Sequence, residues 1–374
     1  MNRPLNIVIV GLSITSSWGN GHATTYRGLV KELSLLGHNI HFLEADAPWY
    51  ADKRDMTDPP FCRTTIYSDT KDLFARFERE VRQADACIVG SYVRDGIAVG
   101  EWATKVCEGV TAFYDIDTPV TLAGLESGKT TYLAPHLIPK FDLYLSFTGG
   151  PTLGHLENYY GSPAARPLYC SFDPKIYYPE PKVKRWDIGY MGTYSDDRQP
   201  TVDALLIEPA RQSPALRAVI AGPQYPNSLD LPSNVERIEH LPPPDHREFY
   251  NSQKFTLNVT RRDMITAGYS PSVRLFEAAA CGVPIISDYW NGLDTFFEFE
   301  KEIFVAEDAE DVLRLLGETT EAERAIVGER ARERVMAEHT AAHRARELEG
   351  YLREAAQRIT RHREERVLAL QRSY

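Results

Sequence analysis

One grammar, used twice, constrains this chain more than any other feature. In the first half, short apolar runs at 7–10, 39–43, 86–89, 111–116, 143–147 and 167–170 alternate with amphipathic stretches at 22–36, 71–83, 97–107 and 152–160. Runs that are apolar throughout, rather than at every second residue, fit strands buried on both faces. Such strands separated by helices predict a parallel sheet covered on both sides. A stretch rich in proline and charge, from Phe172-Asp173-Pro174 to Pro179-Glu180-Pro181, reads as a linker. The alternation then restarts, with strands predicted at 188–191, 218–221, 235–239, 255–259, 284–287 and 303–305 and helices at 201–212, 245–251, 272–280 and 308–316. At 374 residues and roughly 150 residues per domain, the expectation is two α/β domains, 1–172 and 173–340. The remainder, 341–374, is predicted helical, with Leu348, Tyr351, Leu352 and Ala355 forming an apolar stripe. Its bases Arg358, Arg361, His362, Arg363 and Arg366 form either a solvated face or a contact with an anionic surface.

Composition removes several classes of function. Acids outnumber bases 53 to 42, a formal charge of −11. Coating nucleic acid or an anionic membrane needs a cationic surface, so neither is expected as a stable partner. No run approaches the roughly 18 apolar residues of a membrane span, and the first apolar run is too short for a signal peptide. Five cysteines without CxxC spacing fit buried thiols in a reducing compartment rather than a disulfide frame or a zinc site. A cytoplasmic protein is expected.

Candidate chemistry gathers at predicted strand ends, where open parallel sheets bind ligands. Gly11 ends the first strand, and Gly19-Asn20-Gly21-His22 precedes the first helix. Glycines there let the backbone approach a sugar or phosphate, and the helix N-terminus offers free N–H groups. His22 is either a base or sugar contact, or an ordinary histidine at a helix start. A dinucleotide fingerprint needs its glycines tight against the strand; here Ser13 stands two after Gly11, although Glu44 imitates the ribose-binding acid. The run Ala123-Gly124-Leu125-Glu126-Ser127-Gly128-Lys129-Thr130 satisfies a relaxed phosphate-loop pattern. However, Thr118-Pro119-Val120-Thr121 separates it from the preceding strand, and Pro135 and Pro139 shorten any helix after it. Asp115-Ile116-Asp117 closes a predicted strand. Carboxylates at i and i+2 on a strand point one way, and can hold a hard cation or accept a hydrogen from a substrate hydroxyl.

The richest segment runs from Thr260 to Asp288. Ser270 or Ser272 suits a helix N-cap, Pro271 suits the helix start, and Gly282 ends the helix before Pro284 opens the next strand. Arg274 and Glu277 lie one turn apart, and can be a plain i,i+3 ion pair. Alternatively, a diphosphate sits at the helix N-terminus beside Arg274, and Glu277 accepts the two hydroxyls of a ribose.

The run Arg274-Leu275-Phe276-Glu277-Ala278-Ala279-Ala280-Cys281-Gly282-Val283-Pro284-Ile285-Ile286 resembles the C-terminal signature of group 1 glycosyltransferases of the GT-B fold, in particular the branch related to the spore-maturation protein CgeB. The resemblance covers the C-terminal half from Gly189-Tyr190-Met191-Gly192-Thr193-Tyr194-Ser195-Asp196-Asp197-Arg198 onward. Tyr114-Asp115-Ile116-Asp117-Thr118-Pro119 carries it in the first half.

The resemblance implies two Rossmann-like domains facing across a cleft, with the nucleotide-sugar donor on the second, the acceptor on the first and the last helix crossing back to the first. On it, Glu277 holds the ribose, and Arg198 and Arg274 hold the diphosphate with Gly192, Thr193, Ser270 and Ser272. The base lies at the loop containing His240 and Leu241. Gly19, Gly21 and Asp115 belong to the acceptor or sugar loop. No metal or other cofactor is implied, because arginines and a helix dipole can neutralise the leaving diphosphate.

Tyr269 stands where many retaining members carry a second glutamate, eight residues before Glu277, and no lysine follows Arg198 in the usual pairing. If the reaction inverts, Asp117 or His22 is the general base; if it retains, they orient the acceptor. The acceptor is any hydroxyl-bearing glycan, small molecule or polymer. The competing readings are a nucleotide-binding ATPase or NAD enzyme, and a non-catalytic binder of nucleotide sugars or glycans.

Overall fold

The computed structural model describes residues 3–18 and 21–371, and of 366, 367, 369 and 370 only the backbone. One compact unit ends at Tyr169 and resumes at Ala341; the other is Cys170–Thr340.

The first unit is built from β1 (Asn6–Gly11), α1 (Gly21–Leu35), β2 (Asn39–Ala45), α2 (Pro48–Ala51), β3 (Arg63–Tyr67), α3 (Thr70–Gln83), β4 (Ala86–Gly90), α4 (Gly96–Val106), β5 (Val110–Asp115), α5 (Thr118–Glu126), β6 (Leu143–Ser146), α6 (Pro151–Asn158) and β7 (Ala165–Pro167). Its strands are all parallel, in the order β3-β2-β1-β4-β5-β6-β7. Ile7 and Ile9 face Tyr26, Leu29, Val30 and Leu33 of α1. Val8 and Val10 face the other side, with Phe77, Val81, Val99 and Ala103. A strand buried on both faces has no polar positions to alternate, which is why its run is apolar throughout.

β3 escapes the sequence pattern. Arg-Thr-Thr-Ile-Tyr is an edge strand only partly buried, so it lacks the apolar run that marks its neighbours. The segment 123–130, whose context already spoke against a phosphate loop, does not form one. Ala123 and Gly124 lie inside α5 and Ser127 caps its C-terminus, so the segment presents the carbonyl end of a helix dipole, which repels a phosphate.

The second unit contains β8 (Trp186–Met191), α7 (Gln199–Val202), α8 (Glu208–Gln212), β9 (Ala218–Ala221), β10 (Val235–Ile238), α9 (His246–Asn251), β11 (Gln253–Asn258), α10 (Arg262–Ala267), α11 (Val273–Ala280), β12 (Ile285–Ser287), β13 (Phe304–Val305), α12 (Ala309–Glu318) and α13 (Glu321–Glu338). Its parallel sheet runs β10-β9-β8-β11-β12-β13. Between α7 and α8 the helix passes through a π turn at Asp203–Ile207. Pro209 follows directly and has no N–H to donate, so the regular ladder is interrupted there.

The charged C-terminal stretch holds two helices. α13 starts on a capping box between Thr320 and Glu323 and stops at His339, whose ring stacks on Phe276 at 4.5 Å. α14 (Ala341–Gln371) then joins the first unit. Leu348, Leu352 and Ala355 are buried in the same cluster as Tyr26 and Leu29, and Tyr351 packs against it. Two of its bases are used structurally: Arg358 donates to the Asp142 carbonyl at 2.6 Å and Arg363 to that of Glu108 at 3.2 Å. Arg361 and His362 are exposed, and the Arg366 side chain lies outside the described residues.

Candidate functional site

Each sheet reverses its strand order once, beside its first strand: between β8 and β11 in the second unit, and between β1 and β4 in the first. Ligands of open α/β sheets bind at the carboxyl ends of the strands at such a point.

In the second unit this point is filled by Arg274. From the first turn of α11 its Nε donates to the Met191 carbonyl at 2.6 Å and its Nη1 to Asn258 Oδ1 at 2.8 Å. The guanidinium lies over the Tyr190 ring, 4.9 Å from its centre. Of the two readings of Arg274 and Glu277, the plain ion pair does not form: the hydrogen-bond acceptors of Arg274 are a carbonyl and an amide rather than a carboxylate. Two buried acids, Asp288 and Glu277, feel its charge without pairing with it. The Asp288 carboxylate is taken up by the Thr260 N–H at 2.9 Å and hydroxyl at 2.8 Å, and burial raises it above its ordinary range.

Arg198 belongs to the same mouth. Its Nε donates to Ser195 Oγ at 2.9 Å and its Nη2 to the Thr193 carbonyl. Burial, and the nearness of Arg274 and Arg261, lower its affinity for a proton, yet a guanidinium stays charged. Among the described residues, none of Arg198, Arg261 and Arg274 has a carboxylate at ion-pair distance. Asp197 lies close enough to feel Arg198 and Arg261, but three like charges with no direct ion pair still repel one another, and an anion would relieve that cost.

Two glycines give the anion room. A Cβ at Gly192 would meet Tyr190 Oη at 2.6 Å and Arg274 Nη2 at 3.0 Å; one at Gly222, where φ is +141°, would meet the Gly192 carbonyl oxygen at 2.1 Å. Gly222→Ala is therefore expected to destabilise the chain by about 3 kcal/mol through backbone strain and overpacking, measured by denaturant unfolding.

Ser272 does occupy the N-cap of α11, but its hydroxyl makes no cap bond. It donates instead to Asn258 Oδ1 at 2.7 Å, so the N-cap residue itself leaves the first N–H groups of α11 uncapped. Ser270 is buried beside it. Tyr269 adopts φ +48°; its N–H bonds the Asn291 carbonyl at 2.7 Å, and its ring fills the space a side chain at Gly292 would need.

Glu277 is 3% exposed. Its carboxylate accepts from Tyr250 Oη at 3.1 Å and from the Tyr177 hydroxyl, and burial raises its affinity for a proton. Tyr177 Oη also meets His246 Nδ1 at 3.4 Å, and His246 Nε2 meets the Leu241 carbonyl at 3.2 Å. A polar chain thus joins Glu277 to the loop of His240 and Leu241, in which His240 is exposed. Tyr177, His246, Tyr250 and Asn258 escaped the sequence reading because they lie far from Arg274 along the chain and outside any short motif. The asparagine ending β11 and the proline-rich stretch before β8 were the only hints.

In the first unit the carboxyl ends of β1, β4 and β5 bring His22, Tyr92 and Asp117 together. Tyr92 Oη donates to Asp117 Oδ2 at 3.0 Å, and the His22 ring stands edge-on to Tyr92 at 5.3 Å. Burial lowers the His22 imidazole to about 4, so it is neutral at pH 7. Gly21 opens α1 with empty space where a Cβ would sit, so nothing in the packing requires glycine there. Gly19 lies outside the described residues.

The same-face reading of Asp115 and Asp117 is corrected, because β5 ends at Asp115 and Asp117 is already the N-cap of α5. Asp115 is fully buried. It accepts from Tyr144 at 2.6 Å, Thr121 at 2.7 Å and the Asp117 N–H at 3.2 Å, and burial raises it to about 6. Its oxygens hold the protein's own groups rather than facing an acceptor. Glu44 is committed likewise, accepting from Ser13, the Ile14 and Thr15 N–H groups and the Thr15 hydroxyl. It pins the loop after β1 instead of imitating a ribose-binding acid. No group of three or more His, Cys, Asp or Glu side chains among the described residues is placed to share a metal ion.

This fold is found in enzymes that handle sugars. Over 94% of this chain and 100% of that one, it superposes on HepE of Anabaena, solved with UDP and glucose, at a TM-score of 0.68 and 13% identity. Sucrose-phosphate synthase of Thermosynechococcus elongatus matches at 0.66 and 14% identity, over 93% of this chain and 98% of its own. An alpha-glucosyltransferase in complex with UDP and a 13-mer DNA matches at 0.66 and 14%, over 94% and 100%. At such identities these structures establish the fold alone. No curated protein matches the sequence. The family described as glycosyl transferase-like matches residues 198–350, a stretch that begins at Arg198 and contains Arg274 and Glu277. With that domain on this fold, the chain is an enzyme of the glycosyltransferase class.

Proposed function

We propose that the chain moves a sugar from a nucleoside-diphosphate sugar to a hydroxyl-bearing acceptor, and does so without a metal ion. The observation that carries this reading is the mouth of the second unit. Among the described residues, Arg198, Arg261 and Arg274 gather there with no carboxylate at ion-pair distance, beside an α11 N-terminus whose N-cap Ser272 makes no cap bond. That arrangement suits a diphosphate, whose charge grows as the sugar departs, so the same groups stabilise the transition state more than the ground state. Glu277, linked through Tyr177 and His246 to the Leu241 loop, is the proposed ribose acceptor. In the first unit Asp117 takes the hydrogen of the incoming hydroxyl, with neutral His22 beside it.

The finer kinship, to the CgeB branch, rests on the run from Arg274 to Ile286. The acceptor is a glycan, small molecule or polymer. One fold relative is seen with DNA, but a formal charge of −11 disfavours a duplex partner here. A cytoplasmic location is part of the proposal. All five cysteines are thiols rather than half-cystines, as suits a reducing compartment, and no helix among the described residues is long and apolar enough to cross a membrane.

Thermal melts with UDP, GDP, TDP, ATP and NAD test the donor class. One of the nucleoside diphosphates is expected to raise Tm, because a ligand that binds only the folded state stabilises it, and chelating divalent ions is expected to leave that shift in place. Stabilisation by ATP or NAD alone would reject the reading. Glu277→Ala is expected to weaken the nucleotide by about 1–3 kcal/mol, read by calorimetric titration.

A further inference from the structure

Tyr92 belongs to no motif, yet the first unit is organised around it. It follows β4, next to β1, where the strand order of that sheet reverses. Its φ is +60°, a left-handed conformation that costs a non-glycine residue about 1–2 kcal/mol. The turn is held in place from β5: the Ser91 N–H donates to the Tyr114 carbonyl at 2.9 Å and the Ile116 N–H to Ser91 Oγ at 3.1 Å. Strain persists only where its surroundings over-determine it, and here those surroundings deliver one phenol to one carboxylate. Tyr92 Oη donates to Asp117 Oδ2 at 3.0 Å.

The rest of the phenol is fixed too. Its ring packs on Tyr132 at 4.6 Å and meets the His22 ring edge-on at 5.3 Å. Tyr132 Oη lies 2.7 Å from Thr121 Oγ1, which donates to Asp115 at 2.7 Å, and Asp115 in turn accepts the Asp117 N–H at 3.2 Å. Asp117 is therefore held at its backbone N–H by Asp115, at its carbonyl by Thr121 and at its carboxylate by Tyr92, and these holds belong to one network.

We infer that Tyr92 is a positioning residue for glycosyl transfer, fixing the plane of the Asp117 carboxylate and the attitude of the His22 ring so that the two act on the acceptor hydroxyl as one unit. The inference rests on the role proposed above for Asp117. The titratable groups around that carboxylate are Tyr92, Tyr132, Asp115 and, through Asp115, Tyr144; His22 lies on the other edge of the phenol. A hydrogen bond to a carboxylate favours its charged form, so removing the donor makes protonation easier.

Tyr92→Phe keeps the ring and deletes only the donor. Carbon-detected NMR titration of the full chain is expected to show the Asp117 carboxyl midpoint rising by about one pH unit in this variant; an unchanged midpoint would overturn the inference. Turnover of UDP-glucose, followed as UDP release, gives the second readout. The acid limb of its pH profile is expected to move up with the NMR midpoint, and kcat at the optimum to fall about 10-fold, while KM for UDP-glucose stays put. A shifted NMR midpoint with an unmoved pH profile would mean that Tyr92 positions a carboxylate the reaction does not use. The assignment of Asp117 would then fail, and the positioning role with it.

Discussion

Arg274→Ala is expected to lower sugar transfer by about 10²–10³-fold, the effect of deleting one pre-organised donor from a site where negative charge develops. The loss should fall on turnover more than on nucleotide affinity. Arg198, Arg261 and the α11 N-terminus still attract the ground-state diphosphate, whereas the departing one needs the full set. Arg274 also spans β8 and β11 through Met191 and Asn258, so stability must be measured alongside. Asn258 keeps its bond from Ser272, and the expected cost in unfolding is about 1–3 kcal/mol. Arg274→Lys should recover little, since a point charge can satisfy neither both acceptors at once nor the Tyr190 face. Steady-state kinetics with UDP-glucose or the donor found by thermal melts, paired with denaturant unfolding, checks both parts. Full turnover in Arg274→Ala would leave the arginine a structural strut.

Asp117→Asn is expected to reduce kcat by about 10²–10⁴-fold, the usual contribution of a positioned base. Asparagine is nearly the same shape and its amide oxygen can still accept from Tyr92. Asp117 occupies the N-cap of α5 without making a side-chain cap bond, so the substitution should scarcely change the unfolding midpoint. The donor groups proposed above all belong to the second unit, so nucleotide affinity is expected to be unchanged. Loss of nucleotide binding in this variant, measured by calorimetric titration, would contradict that division of labour.

The parts legible in the sequence were those written by burial. Val8 and Val10 on one face of β1 and Ile7 and Ile9 on the other announce a strand covered on both sides. The stripe Leu348, Leu352 and Ala355 announces a helix with a buried edge. Local backbone chemistry was equally readable, as in the Ser272 start and the Gly282 stop of α11. What failed to show was anything carried by side chains distant in sequence. Glu277 stood out in the sequence as a candidate, but its partners Tyr177 and Tyr250 did not. Arg274 and Glu277 sit one turn apart and suggest a pair, yet Arg274 turns to β8 and β11 while Glu277 turns to the tyrosines. Asp115 and Asp117 look like a matched pair until the strand is seen to end between them. Tyr92 left no mark, since a left-handed tyrosine after a strand has no compositional signature.

The sequence by itself determined the two parallel-sheet units, the buried faces of their strands and helices, and the segment of glycosyl transferase character. The first two follow from hydrophobic periodicity and turn chemistry, which act over a few residues; the last rests on the resemblance carried by the run from Arg274 to Ile286. Only the tertiary structure decided which charges are spent and which remain. Glu44 and Asp115 are consumed by their own loops, while Arg198, Arg261 and Arg274 are left together, among the described residues, without direct ion-pair partners. Hydrogen bonds and charge neutralisation act between groups within a few ångströms of each other, and it is the packing of the strands that brings residues so far apart in the chain to that distance.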